Sequence, residues 1–116
     1  MDDSSTSIAI HIDDPWFGFI RAGKKTVEGK LAKGKALLMT KGRTVSITGN
    51  DGSILTCVVA DVRKYTSFDD YLMAEGLDRT LPGVTSLEDG LAVYAKYFEP
   101  GLDQSLGVLA IELRQL

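Results

Sequence analysis

The segment from Pro15 to Lys30 constrains the fold more tightly than any other, because a helix start, a helix stop and a strand follow one another in it. Asp14 is a residue type that caps helices, and Pro15 supplies a φ suited to a first turn. Gly23 is placed to end that helix. Alternation begins at once, with Lys25, Val27 and Gly29 on one face and Thr26, Glu28 and Lys30 on the other. Same-face neighbours on a strand stand about 7 Å apart. A helix over residues 14–22 feeding a strand over 25–31 thus displays cations, a hydroxyl and a carboxylate within one short stretch.

The remaining elements read as mixed α and β. Ile8, Ile10 and Ile12 alternate with smaller or polar residues and predict a first strand over residues 7–12. Short strands are expected over 35–40 and 44–48. A long one is expected over 53–64, entered through the turn Asn50-Asp51-Gly52. Ser67 with Asp70, and Ser86 with Asp89, each approximate a capping box. They predict two helices, one running to Gly76 and one to Pro100, the second carrying Tyr94, Tyr97 and Phe98 in its apolar stripe. Residues 106–113 make the last strand. Strands flanking a two-helix insertion, with glycine turns and no βαβ repeat, predict an α+β fold built on a small curled sheet.

A chain of 116 residues is the size of one domain. Residues 1–7 are small and polar and read as a flexible leader, leaving 8–116 as the domain. No apolar run approaches the ~20 residues of a membrane span, and no signal-type h-region is evident. The expectation is a cytoplasmic protein with no membrane contact. Cys57 and His11 are the single residues of their types, which excludes an internal disulfide and leaves no Cys/His set for zinc. Cys57 lies in an apolar strand and reads as core. No cofactor or metal is expected.

Charge is unevenly spread. The net charge is −3, yet residues 21–43 hold eight of the thirteen Lys and Arg and a single acid, Glu28. A basic segment on an acidic body suits a local phosphate site better than a duplex-binding face; it also suits a lysine-rich solubilising loop. Gly18 and Gly23-Lys24 are spaced as in a P-loop, but Lys25 stands where Ser or Thr would bind magnesium, and the order is helix then strand. Nucleotide triphosphate hydrolysis is set aside.

The same stretch, followed by residues 63–68, Glu75-Gly76-Leu77, Leu81-Pro82-Gly83-Val84 and Gly107-Val108-Leu109-Ala110-Ile111, resembles the ASCH domain family in order and spacing over roughly 12–113. The resemblance implies a small PUA-like β-barrel with a short N-terminal helix and a two-helix insertion before the last strand. It also implies an association with RNA and modified nucleosides. Some members remove the acetyl group of 4-N-acetylcytidine with a Lys, a Thr and a Glu, which fall here on Lys25, Glu28 and Glu75. Glu28 therefore occupies the position of the nucleophilic Thr. Other members are ribonucleases, a property that no residue pattern here carries over.

The candidate catalytic residues are thus Lys25, Glu28 and Glu75, and the candidate ligand-binding residues are Trp16, Lys24, Thr26 and Lys30. A desolvated lysine has a lowered pKa and can act as a base. Trp16 either stacks on a base or packs in the core, and Glu28 and Lys30 either act on a ligand or form a structural ion pair. Three functions follow. The first is an RNA- or nucleoside-binding module with a basic cleft around Lys25, Glu28 and Lys30. The second is an amidohydrolase in which Lys25 and Glu28 activate water. The third is a domain that docks a protein partner.

Overall fold

The computed structural model describes residues 7–116. Its elements are β1 (Ile8–His11), α1 (Trp16–Arg21), β2 (Val27–Leu31), a 3-10 turn (Gly34–Leu38), β3 (Thr44–Thr48) and β4 (Ile54–Tyr65). The helices α2 (Phe68–Glu75), α3 (Leu77–Thr80), α4 (Leu87–Ala95) and α5 (Leu102–Leu106) then precede β5 (Val108–Gln115). The five strands form one sheet in the order β1-β3-β4-β5-β2. The β1–β3 pairing is parallel and the other three are antiparallel.

The long strand organises this sheet. The first part of β4 pairs with β3, and its later part with β5, across a register shift between Val59 and Asp61. Such an irregularity bends a strand and sharpens its twist, which curls the sheet and leaves β1 and β2 as its two edges. On β5, Leu109, Ile111 and Leu113 enter a core with Phe17, Ile20, Ile47 and Val59. Val108 and Ala110 enter a second core with Val27, Leu31, Phe68 and Tyr71. A strand buried on both faces loses the polar alternation of a surface strand, hence its continuous apolar run.

Several local expectations need correcting. Residues 35–40 form no strand: Ala36 and Met39 are the inward side chains, and a spacing of three belongs to a 3-10 turn. Asp14 does not cap α1. Pro15 holds the cap position without a side-chain bond, and the Asp13 and Pro15 carbonyls accept from the Phe17 and Phe19 amides at 3.0 and 3.1 Å. The insertion holds four short helices rather than two, because Gly76 at φ 88° breaks the chain between α2 and α3, while Tyr97 and Phe98 lie beyond the end of α4. The strand expected from residue 25 begins only at Val27. The leader, apart from Ser7, lies outside the described residues. The two serine caps form as expected, each hydroxyl accepting from an amide three residues on at 3.1 Å.

The insertion is fastened to β2 by an aromatic cluster. Phe68 stacks on Tyr94 at 4.5 Å between centroids and on Phe98 at 5.3 Å. Tyr71 is fully buried and lies flat on Gly29, where a Cβ would stand 2.7 Å from its Cζ. No rotation of a fully packed ring relieves that collision. Gly29→Ala should therefore cost about 1–3 kcal/mol, the usual range for overpacking, read as a lowered urea midpoint with an unchanged slope.

Candidate functional site

A cleft of about 290 Å³ opens between the two sheet edges and the insertion. From β1 and the loop after it come His11, Ile12 and Asp13, from α1 Trp16, and from β2 Glu28, Gly29 and Lys30. Leu81, Val93, Tyr94, Tyr97 and Phe98 close it from the helical side, and Lys25 reaches its floor. Its walls are mainly aromatic and aliphatic, with a few convergent polar groups, which is the usual make-up of a small-ligand site.

The floor is a buried ion pair. The chain leaves α1 through Gly23 at φ 77°, and the Lys24 and Lys25 amides both donate to the Phe19 carbonyl, at 2.9 and 3.1 Å. That turn sends the Lys25 side chain inward before the strand begins. Its ammonium donates to the Val27 carbonyl at 2.8 Å and the Thr80 carbonyl at 2.5 Å, and stands 3.4 Å from Glu28 Oε1. An ammonium has three donors, so all of them are occupied. Lys25 is 2 % exposed and Glu28 8 %. Burial pushes the Lys25 pKa down, while the Glu28 carboxylate opposes that shift. Glu28 Oε1 also accepts from the Gly29 amide at 3.0 Å, and among the described residues Oε2 has no hydrogen-bond partner. Glu28 thus pairs with Lys25 across the entry turn, in place of the Glu28–Lys30 pair weighed from the alternation.

The rim is fixed separately. The Asn50 side-chain amide, with its nitrogen turned toward β1, donates to Asp13 Oδ1 at 3.0 Å and to His11 Nε2 at 2.9 Å. This ties the loop after β1 to the β3–β4 turn. Across the cleft, burial and then the charge of Asp13 push the Tyr97 hydroxyl up. The Tyr71 and Tyr94 hydroxyls meet at 2.9 Å behind Glu28; burial pushes both up, so both stay neutral.

Four of the seven candidates meet here: Trp16, Lys25, Glu28 and Lys30 all line the cleft. The other three do not. Lys24 is exposed on the loop before β2. Thr26 precedes the strand, its amide donating to the Arg79 carbonyl at 3.0 Å and its carbonyl accepting from the Leu113 amide at 2.8 Å. It borders a different, smaller depression beside Cys57. Glu75 also lies outside the cleft lining, and its carboxylate is taken up elsewhere. It accepts from Arg63 Nε and Nη2 at 2.7 Å each, from the Tyr65 hydroxyl at 2.5 Å and from Arg79 Nη2 at 2.7 Å. Arg63 in turn meets Asp61 and Glu112 at 2.9 Å each, so the cluster clamps α2 and α3 to β4 and β5. The Arg63 hydrogen bonds are the main reason the Glu75 pKa is held down.

Asp13, Val93 and Tyr97 were not legible as lining. Tyr97 and Phe98 were visible only as members of a helical stripe, and Asp13 carried no signal. No Ser, Thr or Cys is among the described residues of the lining, whose side-chain hydroxyls come from Tyr94 and Tyr97.

An open curled barrel with an insertion folded over its seam and a charged floor in the gap defines a PUA-like domain. Residues 10–116 match the ASCH domain family, and the chain belongs to it. The fold is also that of a solved structure described as hypothetical protein PH0355, with a TM-score of 0.84 and 32 % identity over 96 % of this chain and all of that one. Protein PF0455 from Pyrococcus furiosus, solved in solution, gives a TM-score of 0.77 and 32 % identity over 96 % of this chain and 98 % of that one. No curated protein matches the chain. Among the described residues, no helix is long and apolar enough to cross a membrane, and no group of three or more His, Cys, Asp and Glu is placed to hold a metal ion.

Both ion clusters give sign-definite predictions. The pKa of Glu75 is lowered in the fold, so its contribution is present above the unfolded value of about 4.3 and is lost as pH falls through the folded one. Glu75→Gln should cost roughly 3 kcal/mol at neutral pH, the low end for breaking a buried pair. The deficit should close as pH falls through that lowered folded pKa, where the wild-type carboxyl is protonated too. Chemical denaturation across that range checks it. In Glu28→Gln, Lys25 keeps its burial and loses its counter-charge, so its pKa falls further. Between that folded value and the unfolded ~10.4 the unfolded chain binds more protons, and stability there rises with pH. The Glu28→Gln deficit, about 3 kcal/mol near pH 7, should therefore shrink toward pH 10.

Proposed function

We propose that this protein binds a single unpaired nucleobase, free as a nucleoside or carried in RNA, in the cleft over Lys25 and Glu28. The observation that carries the reading is the buried carboxylate with one uncommitted oxygen on the floor of an aromatic-walled cleft. A flat ring can stack on the aromatic side chains that line the cleft, Trp16, Tyr97 and Phe98 among them, where stacking is worth ~1–3 kcal/mol per base. Glu28 Oε2 then accepts an N–H from the base edge, as a carboxylate accepts from the amino group of cytosine. Lys25 holds that carboxylate in place from 3.4 Å, acting on the ligand only through Glu28. Membership of a family associated with RNA supports the same reading.

A second reading, hydrolysis of an acylated nucleoside such as 4-N-acetylcytidine, is favoured by that same free oxygen beside a desolvated lysine. With no Ser, Thr or Cys among the described lining residues, a covalent acyl-threonine has nowhere to form, and Glu28 would act on water directly. Glu75, held by two arginines outside the cleft, takes no part in either reading.

Trp16 is the single tryptophan and borders the cleft, so its emission reports occupancy. Titration with the four common ribonucleosides and 4-N-acetylcytidine should give saturable quenching by at least one of them. Glu28→Gln should weaken that affinity by about tenfold, the loss of one charged hydrogen bond. Unchanged emission with every ligand up to millimolar concentration would overturn the binding reading. Chromatography of the 4-N-acetylcytidine samples separates the two readings: cytidine that appears with the wild type and not with Glu28→Gln establishes hydrolysis.

A further inference from the structure

Beside the cleft runs a second depression of about 280 Å³, and the two share His11, Lys30 and Phe98 as walls. Its own cations are Lys33 and Lys35, set over the buried side chains of Ala36 and Met39. Lys33 precedes the 3-10 turn on extended backbone and is exposed. Lys35 donates to the Ala9 carbonyl at 2.6 Å, which holds its ammonium against the edge of β1; among the described residues its other two donors have no partner. Among the described residues lining this groove there is no carboxylate, whereas the cleft beside it holds Glu28 and Asp13.

The geometry points to a nucleotide of single-stranded RNA as the ligand, its base in the cleft and its phosphate, with that of the next residue, along Lys30, Lys33 and Lys35. This assignment rests on the base-binding reading of the cleft and adds the charge that the ligand must carry. The polarity follows from the carboxylates. An anion on the cleft floor would meet Glu28 and Asp13, while a base edge offers them N–H donors. A phosphate in the groove meets three ammonium groups. Lys30, lining both depressions, stands where base and backbone join. A base enters a walled cleft only when it is out of the helical stack, so paired RNA is excluded and an unpaired residue is selected. The net charge of −3 on the whole chain further disfavours indiscriminate duplex binding, since the cationic surface is local.

The test follows Trp16 emission with three series of probes: the four common ribonucleosides, their 3′- and 5′-monophosphates, and the matching single-stranded pentanucleotides. The pentanucleotide of the best-binding base should bind about tenfold or more tightly than its nucleoside. That gain should fall with added salt, with a log–log slope near −0.7 for each phosphate engaged. Lys33→Glu should remove most of the gain. Lys41→Glu, the same charge change at an exposed residue bordering neither depression, should leave it intact. Equal, salt-independent affinities for nucleoside and pentanucleotide would overturn the groove and leave the cleft reading standing. Equal losses in Lys33→Glu and Lys41→Glu would overturn it as well, by reducing the gain to diffuse attraction. Silence with all three series would overturn both readings together.

Discussion

The ammonium of Lys25 is the contact on which the arrangement turns. It reaches from the entry of β2 to the end of α3, joins the Val27 and Thr80 carbonyls, and sets a cation beside Glu28 in a largely apolar cleft. Desolvating two charges is expensive, and an attraction of this kind offsets the cost only when the remaining donors and acceptors are satisfied. Here they are: three acceptors surround the lysine and one backbone amide supports the carboxylate. The pair therefore does two things with one set of contacts. It locks the insertion against the sheet edge, and it leaves a single carboxylate oxygen open.

The Arg63–Glu75 cluster does for the outer side of the insertion what Lys25 does for the cleft side. Arg63 on β4 gathers Asp61, Glu75 and Glu112, and Arg79 adds a second cation from α3. The helices α2 and α3 are short and would be marginal alone. Held by this clamp and by the aromatic cluster of Phe68, Tyr71, Tyr94 and Phe98, they become a rigid wall. A wall fixed from both sides can place Leu81, Tyr94 and Phe98 against a ligand without prior ordering, which limits the entropic cost of binding.

Much of this was legible in the sequence, and the misreadings share a cause. The strands, the serine caps, the Asp51-Gly52 turn and the buried Cys57 follow from local patterns that the fold respects. The joint placement of Glu28 and Lys30 followed from simple alternation. Alternation failed for Lys25 and Thr26 because β2 starts at Val27, so neither residue obeys a strand's two-fold period. It failed again at Ala36 and Met39, where two apolar residues three apart were taken for part of a strand. Glu75 was beyond local reading: its partners Arg63 and Tyr65 lie on another element, and only the fold tells a clamped carboxylate from an available one. The same holds for Asp13 and Tyr97, which reach the cleft through loop geometry.

The contact between Tyr71 and Gly29 has a consequence for how the chain finds its native pairing. Gly29 pairs with Ala110, so small residues stand opposite each other where the ring lies on β2. A one-residue slip of β2 along β5 would bring Glu28 or Lys30 beneath the ring and turn the other side chains of the strand to the wrong face. No slipped alignment can accept the helical insertion, and without the insertion there is no cleft. Edge strands are the elements most prone to mispairing. In this domain the absence of one methyl group makes correct alignment of an edge strand a precondition for closing the cleft, so a misaligned chain is left with its insertion undocked.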